Sequence, residues 1–402
     1  MRNLVKIVLY KLYDFLTGAV RKFIHWFHRV ASDLKLKNII LFSSMPDFSD
    51  SSVEVFKLMV KMDEFKDYKF IWFCDYPEKL LKIPNTIIKK RIDNPLFRLV
   101  NLYYESTAKC CIYTHQLLGN MYNRKQLRVY IAHGSFGMKR HVASYNIQID
   151  YSTHKIHTFM IYKNAVVCGL PRNDRLFDNS VETRVKLGIE TYDKIIIWMP
   201  TFKHFQFKGA FHPPRNDFNT QKENDISLQA DSAFFPEVEK TLKDCNTLLI
   251  IKYHPGQDLK YVSGRETANI KIITDDALSK LSVPLYSLLG TADALITDFS
   301  SVCYDFLLTN KPIGFDITDL ELYKLFPKSS PATHMPGEKI QSVRDFCDFI
   351  MKVANGEDRF EKDRKKLLNK VHVHKDNRSA KRVVEFILSE GRGRGLFPSK
   401  AP

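Results

Sequence analysis

A short apolar stretch, Ala294–Thr297, is followed directly by polar side chains that suit the binding of an anion. The stretch predicts a buried strand, and Asp298, Ser300 and Ser301 stand where an amphipathic helix would begin. Free backbone N–H groups at a helix start, two hydroxyls and the helix dipole together favour phosphate. Asp305 lies four residues after Ser301, where its carboxylate would accept hydrogen bonds from ligand hydroxyl groups. The alternative for these residues is an ordinary helix cap.

Two histidines also follow predicted strands. His133 comes after the apolar run Val129–Ala132, and His254 comes after Thr247–Tyr253. An imidazole at a sheet edge can take a proton from an alcohol at neutral pH, or donate to the oxygens of a diphosphate. Gly134 lets another group approach the backbone beside the first histidine. A histidine that simply caps a turn is the alternative at both positions.

Hydroxyl and cationic side chains are found at further strand ends. Thr201 and Lys203 follow one apolar strand pattern, and Lys252 lies two residues before the second histidine. Arg172 occupies a Gly-Leu-Pro-Arg-Asn-Asp turn, where it would clamp phosphate or form a structural ion pair with Asp174. We favour the ion pair for this arginine. Polar groups therefore concentrate at the carboxyl ends of predicted strands.

Strand and helix patterns alternate along most of the chain, which is typical of a parallel sheet with helices on both faces. A first series of strands is expected at Ile39–Phe42, Phe70–Cys74, Thr86–Lys89, Cys110–Tyr113, Val129–Ala132 and Val166–Cys168. A second series is expected at Ile195–Met199, Thr247–Tyr253, Ile270–Ile273, Ala294–Thr297 and Pro312–Phe315. The pattern predicts an α/β fold of two Rossmann-like halves joined near residue 170, with ligands bound in the cleft beyond the carboxyl ends of the strands.

Four segments are expected along the chain. Residues 1–35 would form basic amphipathic helices, 36–170 an acceptor-binding Rossmann-like domain, 171–390 a donor-binding Rossmann-like domain and 391–402 a disordered basic tail. The polar stretch Lys203–Phe234, which contains two consecutive prolines, is expected to leave the second domain as an excursion over the cleft mouth or as a partly disordered insert.

The composition is that of a folded protein with an anionic partner. The chain has 402 residues, 44% of them hydrophobic, and a formal net charge of +16. Seven cysteines without a Cys-x-x-Cys pair suggest thiols in a reducing compartment rather than a disulfide framework. No zinc-ligand spacing and no P-loop occurs in the sequence.

The amino-terminal segment carries aromatic and basic residues together. Charged side chains interrupt its apolar run 4–30, so no stretch reaches the length of about 20 apolar residues that a spanning helix needs. Trp26 among lysines and arginines suits a helix lying on an anionic inner leaflet. We therefore expect peripheral attachment at the cytoplasmic face of the membrane, the alternative being a helix packed against this protein or a partner.

The order of these motifs resembles the CDP-glycerol glycerophosphotransferase family, the teichoic acid polymerases and primases of GT-B fold. The matching pieces cover about residues 110–325 in order. They are His133-Gly134, Gly169-x-Pro-Arg-Asn-Asp174, Pro200-Thr201-Phe-Lys203, His254-Pro255, Thr297-Asp-Phe-Ser-Ser-Val-Cys-Tyr-Asp305-Phe and the segment 311–323.

The resemblance implies transfer of glycerol phosphate or ribitol phosphate from a CDP-linked donor to a hydroxyl of a lipid-linked or polysaccharide acceptor, with release of CMP. The product would be a cell-surface polymer such as teichoic acid or capsule. The reaction would need no cofactor and no essential metal, because side-chain cations would neutralise the phosphates.

The resemblance also implies a role for each matching residue. His133 would be the base on the acceptor hydroxyl, and His254, which the resemblance also counts as catalytic, would hold the donor's diphosphate with Ser300 and Ser301. Asp305 would hold the donor's hydroxyls. The remaining donor-side residues would be Arg172, Thr201, Lys203, Lys252, Thr297 and Asp298, and the remaining acceptor-side residues Gly134, Ser135 and Lys139.

Departures from the family pattern concern the acceptor and the polyol rather than the reaction type. The family commonly has Trp-His-Gly-Thr where this chain has Ala132-His-Gly-Ser135, and Trp-Arg where it has Phe202-Lys203. A GT-B glycosyltransferase that uses a CMP- or UDP-linked sugar is the alternative enzyme. A non-catalytic protein that binds nucleic acid or membrane is the third hypothesis, but the charge is spread along the chain and no nucleic-acid motif occurs.

Overall fold

A computed structural model provides the fold, and the α/β prediction is confirmed. The structure describes Trp26 and residues 34–45, 47–77, 85–91, 99–114, 123, 125–131, 147–150, 165–200, 228, 232–253, 265–298, 300–318 and 335–399. The described residues leave out 1–25 and 27–33 of the expected amino-terminal helices and almost all of the insert 203–234.

The first lobe is built on a seven-stranded sheet in which every described pairing is parallel. Its strands, in the spatial order β3-β2-β1-β4-β5-β6-β7, are β1 Lys37–Ser43, β2 Lys69–Cys74, β3 Thr86–Lys90, β4 Ala108–Tyr113, β5 Leu127–Ile131, β6 Ile147–Asp150 and β7 Ala165–Val167. Only β6 was not predicted, because its sequence Ile147-Gln-Ile-Asp150 contains no two adjacent apolar residues.

The second lobe is built on a six-stranded sheet, again parallel in every described pairing. In the spatial order β10-β9-β8-β11-β12-β13, its strands are β8 Lys194–Met199, β9 Thr247–Ile251, β10 Ile270–Ile272, β11 Ala294–Thr297, β12 Ile313–Asp316 and β13 Glu338–Ile340. The sequence predicted all of these except β13, which has three residues and lies at the sheet edge.

Helices cover the sheets. They are α1 Asp50–Met59, α2 Leu99–Thr107, α3 Ser180–Leu187, α4 Phe234–Asp244, α5 Asp275–Lys280, α6 Leu285–Thr291, α7 Val302–Phe306, α8 Val343–Asn355, α9 Glu361–Val371 and α10 Ser379–Gly393. Within the described part of the chain, none of them is both long enough and apolar enough to cross a membrane.

Helix α8 shows how the sequence sets these elements. The Ser342 hydroxyl accepts a hydrogen bond from the Asp345 N–H at 3.1 Å and so caps the helix start. Gly356 ends the helix with a left-handed φ of 74°. Between them, Phe346 and Ile350 lie four residues apart on the buried face and pack with Trp198 and its neighbours under the second sheet.

The two lobes are joined through a 3-10 turn, Pro171–Phe177, and through α10, which returns from the second lobe and packs on α1 of the first. Gly169 immediately before the turn has φ +82° and lies against Ser379, so that a Cβ there would come within 2.4 Å of the serine hydroxyl oxygen. A side chain at this position would therefore push α10 away from the turn.

The tail beyond residue 391, expected to be disordered, is ordered as far as residue 399. The Phe397 ring packs edge-on against Phe65 and Tyr68, with centroids 5.7 Å and 5.5 Å away. The Tyr68 hydroxyl donates to the Leu396 carbonyl at 3.0 Å. Gly391 makes room for the Phe397 ring, which would lie only 2.0 Å from a Cβ. In the sequence, Leu396 and Phe397 stand among arginines and glycines and give only a weak indication of an ordered segment. Their role is visible only from the contacts with Phe65 and Tyr68 in the first lobe.

A buried histidine after α9 makes stability depend on pH. His372 is 2% exposed, and its Nε2 donates to the Tyr304 carbonyl at 2.7 Å, which requires a proton on that nitrogen. Burial lowers the pKa of His372, although the hydrogen bond opposes this shift. The unfolded chain therefore binds a proton more readily than the folded chain, and stability is lost as pH falls below the unfolded value of about 6.5.

We expect the His372→Gln variant to lose less stability than the wild type on acidification from about pH 7.5 to about pH 5.5. The difference in slope would be at most about 1.4 kcal/mol per pH unit, the effect of one proton. Urea unfolding across this range measures it, with His374→Gln as the matched control. Equal slopes in wild type and His372→Gln would contradict the assignment.

Candidate active-site cleft

Three adjacent strands of the second lobe end at one sheet edge, and the expected donor-side residues follow them in the chain. Strands β9, β8 and β11 lie side by side in parallel, so their carboxyl ends meet at the same edge of the sheet. Lys252 follows β9 and Asp298 follows β11. Thr201 and His254 come two and three residues after the ends of β8 and β9.

Ser300 and Ser301 are both half-buried at the start of α7. The helix begins later than predicted, with Ser301 rather than Asp298 at the N-cap, and the Ser301 hydroxyl makes no capping hydrogen bond. The ordinary-cap interpretation is therefore wrong for this hydroxyl. Because α7 has only five residues, its dipole is weaker than that of a longer helix.

Two other expected donor-side residues, Thr297 and Lys252, form hydrogen bonds with other groups of the protein. The Thr297 hydroxyl is fully buried and donates to the Met199 carbonyl at 3.1 Å, which links β11 to β8. Lys252 is 3% exposed, and its Nζ donates to Asp275 at 3.1 Å and to the Tyr253 carbonyl at 3.0 Å. In this structure the Lys252 ammonium therefore pairs with Asp275, the first residue of α5, and with a backbone carbonyl.

Arg172 joins the two lobes by binding a carboxylate from each. Its Nη1 donates to Asp50 of the first lobe at 3.0 Å, and its Nη2 donates to Asp305 of the second lobe at 2.8 Å. Asp50 follows the carboxyl end of β1, and Asp305 follows that of β11. The carboxyl ends of the two sheets therefore face each other across the cleft, as the Rossmann-like pattern predicts.

The carboxylate of Asp305 is surrounded by protein donors. One oxygen accepts from Arg172 and from the Tyr286 hydroxyl at 2.7 Å, and the other accepts from the Asn173 amide at 3.1 Å. Asp305 is only 1% exposed. We name the five residues Asp50, Arg172, Asn173, Tyr286 and Asp305 the interlobe network. Its geometry gives Asp305 a structural role in place of the direct contact with ligand hydroxyls that the sequence suggested.

Electrostatics favour the charged state of this arginine. Burial alone would lower the pKa of Arg172, but Asp305 and Asp50 outweigh that effect and raise the pKa well above its usual range. The Arg172 guanidinium also lies over the Tyr286 ring, 5.2 Å from its centroid. Burial raises the pKa of Tyr286 well above its ordinary value, so the phenol stays protonated and donates to Asp305.

The predicted pairing of Arg172 with Asp174 is wrong. The carboxylate of Asp174 instead accepts from the backbone N–H groups of Ser379 and Ala380 at 2.9 Å and 2.8 Å, where α10 begins. Its neighbour Arg175 makes a second bridge between the turn and α1, with Nε 2.8 Å from Glu54. The Pro-Arg-Asn-Asp motif thus connects three separate elements, which explains why it combines these residue types.

Asp50 and Tyr286 were not predicted as members of the site. Asp50 has a left-handed φ of 60°, and its side chain accepts from the Ser51 N–H at 2.6 Å while also binding Arg172. This backbone conformation is unusual for a residue other than glycine, asparagine or aspartate. The sequence alone carries no local signal that this acid, and not Asp174, meets the arginine.

Several predicted site residues fall outside the described residues. These are His133, Gly134, Ser135, Lys139, Thr201, Lys203 and His254. The strands that lead to three of them are described: β5 ends two residues before His133, and β8 and β9 end just before Thr201 and His254. In the described part of the chain, no three histidine, cysteine or acidic side chains cluster as a metal site would require.

Comparisons with a family model and with curated proteins identify the same family of proteins. The model of the family described as CDP-Glycerol:Poly(glycerophosphate) glycerophosphotransferase matches residues 23–389. The chain is similar to a teichoic acid ribitol-phosphate polymerase, TarK, of Staphylococcus aureus, with 26% identity over 243 residues that make up 56% of this chain and 41% of the relative.

It is also similar to a teichoic acid glycerol-phosphate primase of Bacillus spizizenii, with 30% identity over 158 residues that make up 39% of this chain and 34% of the relative. The matches thus cover less than half the length of these two relatives.

A solved structure shows the same fold over nearly the whole chain. A variant of the wall teichoic acid polymerase TagF, studied with CDPG, superposes with a TM-score of 0.69. The match covers 98% of this chain and 99% of that chain at 16% sequence identity. At this identity the likeness shows a shared fold, which is the GT-B arrangement predicted from the sequence.

Proposed function

Because the chain belongs to the CDP-glycerol:poly(glycerophosphate) glycerophosphotransferase family, we propose that it transfers glycerol phosphate or ribitol phosphate from a CDP-linked donor. The acceptor is a hydroxyl of a cell-surface polymer or of a lipid-linked precursor, and CMP is the second product. The family match across residues 23–389 carries this proposal. Two facing sheets with polar residues at their carboxyl ends support it.

The chemistry is an in-line displacement at phosphorus. The acceptor oxygen attacks the phosphorus that bears the polyol, and the bond from that phosphorus to the oxygen bridging the diphosphate breaks. The bridging oxygen leaves with CMP. The proton of the acceptor hydroxyl passes to His133, and we assign Gly134, Ser135 and Lys139 to the binding of the acceptor.

Donor binding relies on groups at the edge of the second sheet. We assign Ser300, Ser301 and His254 as donors to the diphosphate, with Thr201 and Lys203 as further donor-side residues. Thr297 and Lys252 support this edge through their bonds to the Met199 carbonyl and to Asp275, and we assign Asp298 as a further donor-side residue. Arg172 and Asp305 contribute by holding the two lobes in register around the donor.

We further propose that the protein acts at the cytoplasmic face of an anionic membrane, as a peripheral protein. The basic, aromatic pattern of residues 1–35 and the net charge of +16 support this location. The acceptor would then be supplied at the membrane surface, where lipid-linked intermediates are found.

The decisive test is release of CMP. Purified protein would be mixed with CDP-glycerol or CDP-ribitol and with lipid-linked or oligosaccharide acceptors, and CMP would be followed over time. UDP- and CMP-linked sugars serve as competing donors, since the alternative glycosyltransferase would use those. Well-folded protein that releases no CMP from either CDP-polyol would exclude the proposal.

The double variant Ser300→Ala with Ser301→Ala is expected to use the donor less well. Loss of two hydroxyl donors to a charged diphosphate should lower kcat/KM for the donor about 10- to 100-fold. The matched control carries Ser180→Ala and Ser389→Ala, two exposed serines on α3 and α10. Equal kcat/KM in the two double variants would remove the serines from the donor site.

A further inference from the structure

A cavity of about 570 Å³ opens at the edge of the first sheet that faces away from the candidate cleft. Leu36 directly precedes β1, Lys109 is the second residue of β4, and Lys125 lies two residues before β5. Because these strands run parallel, all three residues lie at their amino ends. The cavity is therefore separate from the carboxyl edge where the donor site is proposed.

Four cationic side chains line this cavity, and no acidic side chain is among its described lining residues. The four are Lys35, Lys109, Lys125 and Arg394. Arg394 forms an ion pair with Glu390 at 2.7 Å. The four cations therefore keep an excess of three positive charges over this one carboxylate. Such a concentration of like charge in one concave surface raises the local positive potential and attracts an anion.

Lys109 is held in place by an aromatic neighbour. Its ammonium lies 5.4 Å from the centre of the Tyr68 ring and 3.5 Å from the Tyr68 hydroxyl oxygen. That hydroxyl in turn donates to the Leu396 carbonyl at 3.0 Å. Partial burial lowers the pKa of Lys109, and an anion bound beside it would offset the cost of burying its charge. The contacts thus orient a cation into a partly desolvated site.

The rest of the cavity is aliphatic. Leu34, Leu36 and Leu396 line it together with the four cations. A ligand that fits both parts combines an anionic head with a small carbon skeleton, as a phosphate ester of a polyol does. A bare inorganic ion would use the cations and leave the leucine surface uncovered.

We propose that this cavity, the basic pocket, binds a phosphate mono- or diester at a site distinct from the catalytic cleft. The ester is either the headgroup of an anionic phospholipid or a soluble glycerophosphate. The proposal does not depend on the transferase reaction, since the basic pocket shares none of the residues proposed for the donor or the acceptor.

The test uses the full chain and a double charge reversal, Lys35→Glu with Lys125→Glu. Both side chains are exposed, so the fold should tolerate the change. The matched control carries Lys240→Glu and Lys366→Glu, two exposed lysines on α4 and α9 in the second lobe. One arm measures binding to phosphatidylcholine vesicles with and without phosphatidylglycerol, and the other measures thermal shifts with sn-glycerol 3-phosphate and inorganic phosphate.

We expect the pocket variant to bind at least about tenfold more weakly than both wild type and control in one of the two arms. Loss confined to phosphatidylglycerol vesicles identifies a lipid headgroup, and loss confined to glycerol 3-phosphate identifies a soluble ester. If wild type binds no probe, if the pocket variant binds as well as wild type, or if the control loses as much, the proposal is overturned. CMP release from a CDP-polyol should persist in the pocket variant, which separates this site from the proposed active site.

Discussion

Replacing Arg172 by methionine is expected to lower the free energy of unfolding by about 3–5 kcal/mol, the typical cost of removing one partner from a buried ion pair. The side chain of Arg172 is 5% exposed, and those of Asp50 and Asp305 are 6% and 2% exposed. Without the guanidinium, two carboxylates would remain in the interior with no cation between them. Urea unfolding at neutral pH measures the loss.

A matched change at the surface provides the control. Arg359 also pairs with a carboxylate, Glu338, at 2.6 Å, but its side chain is 68% exposed. Arg359→Met should therefore cost at most about 1 kcal/mol, because solvent screens this pair. If the two variants lose the same free energy of unfolding, the buried interlobe network contributes no more to stability than an exposed ion pair.

A double variant separates the lost ion pair from the lost packing. Adding Asp305→Leu to Arg172→Met removes one of the stranded carboxylates, so the double variant should be less destabilised than the sum of the two single variants. Additive losses would show that the two residues act independently. Because the network joins both lobes, Arg172→Met should also lower turnover even where the protein remains folded.

Replacing His133 by alanine is expected to lower turnover by about 10²- to 10⁴-fold, the usual contribution of a general base. Under the proposed mechanism this imidazole accepts the proton of the acceptor hydroxyl and makes little contact with the CDP-linked donor. The donor's thermal shift should therefore remain close to that of the wild type. Rates of CMP release at saturating donor, with and without acceptor, measure the effect.

Added imidazole provides a second readout for the same residue. If His133 acts as a base, free imidazole should restore part of the lost rate in His133→Ala, whereas a purely structural loss would not respond. His374→Ala is the matched control, since His374 contacts the Val167 carbonyl at 3.2 Å. Unchanged turnover in His133→Ala would remove this histidine from the proposed mechanism.

Much of the fold followed from local sequence pattern. Eleven of the strands were expected from apolar runs bounded by turn residues, and β11 has the predicted limits, Ala294–Thr297. The two missed strands, β6 and β13, have the sequences Ile-Gln-Ile-Asp and Glu-Lys-Ile, and neither contains two adjacent apolar residues that would mark a strand. The packed tail was missed for a related reason, since Phe397 depends on rings that lie more than three hundred residues earlier in the chain.

In the candidate site, too, some features were predictable from the sequence and others were not. The position of Ser300 and Ser301 after a buried strand was predictable, because strand ends and helix starts are local features. The role of Asp305 was not, because its three donors come from a distant turn and from α6. A residue at the correct helical spacing can face a ligand or face the protein, and spacing alone does not distinguish the two.

The sequence by itself determined the alternating strands and helices, the family and the sheet edge at which polar residues gather. These features depend on apolar periodicity and on motifs, both of which are short-range. Only the tertiary structure decided which charges meet. Arg172 binds Asp50 and Asp305, which lie 122 and 133 residues away, rather than Asp174 two residues along. In the interior the pairing is set by burial and by the positions of several elements at once, and no local pattern encodes those positions.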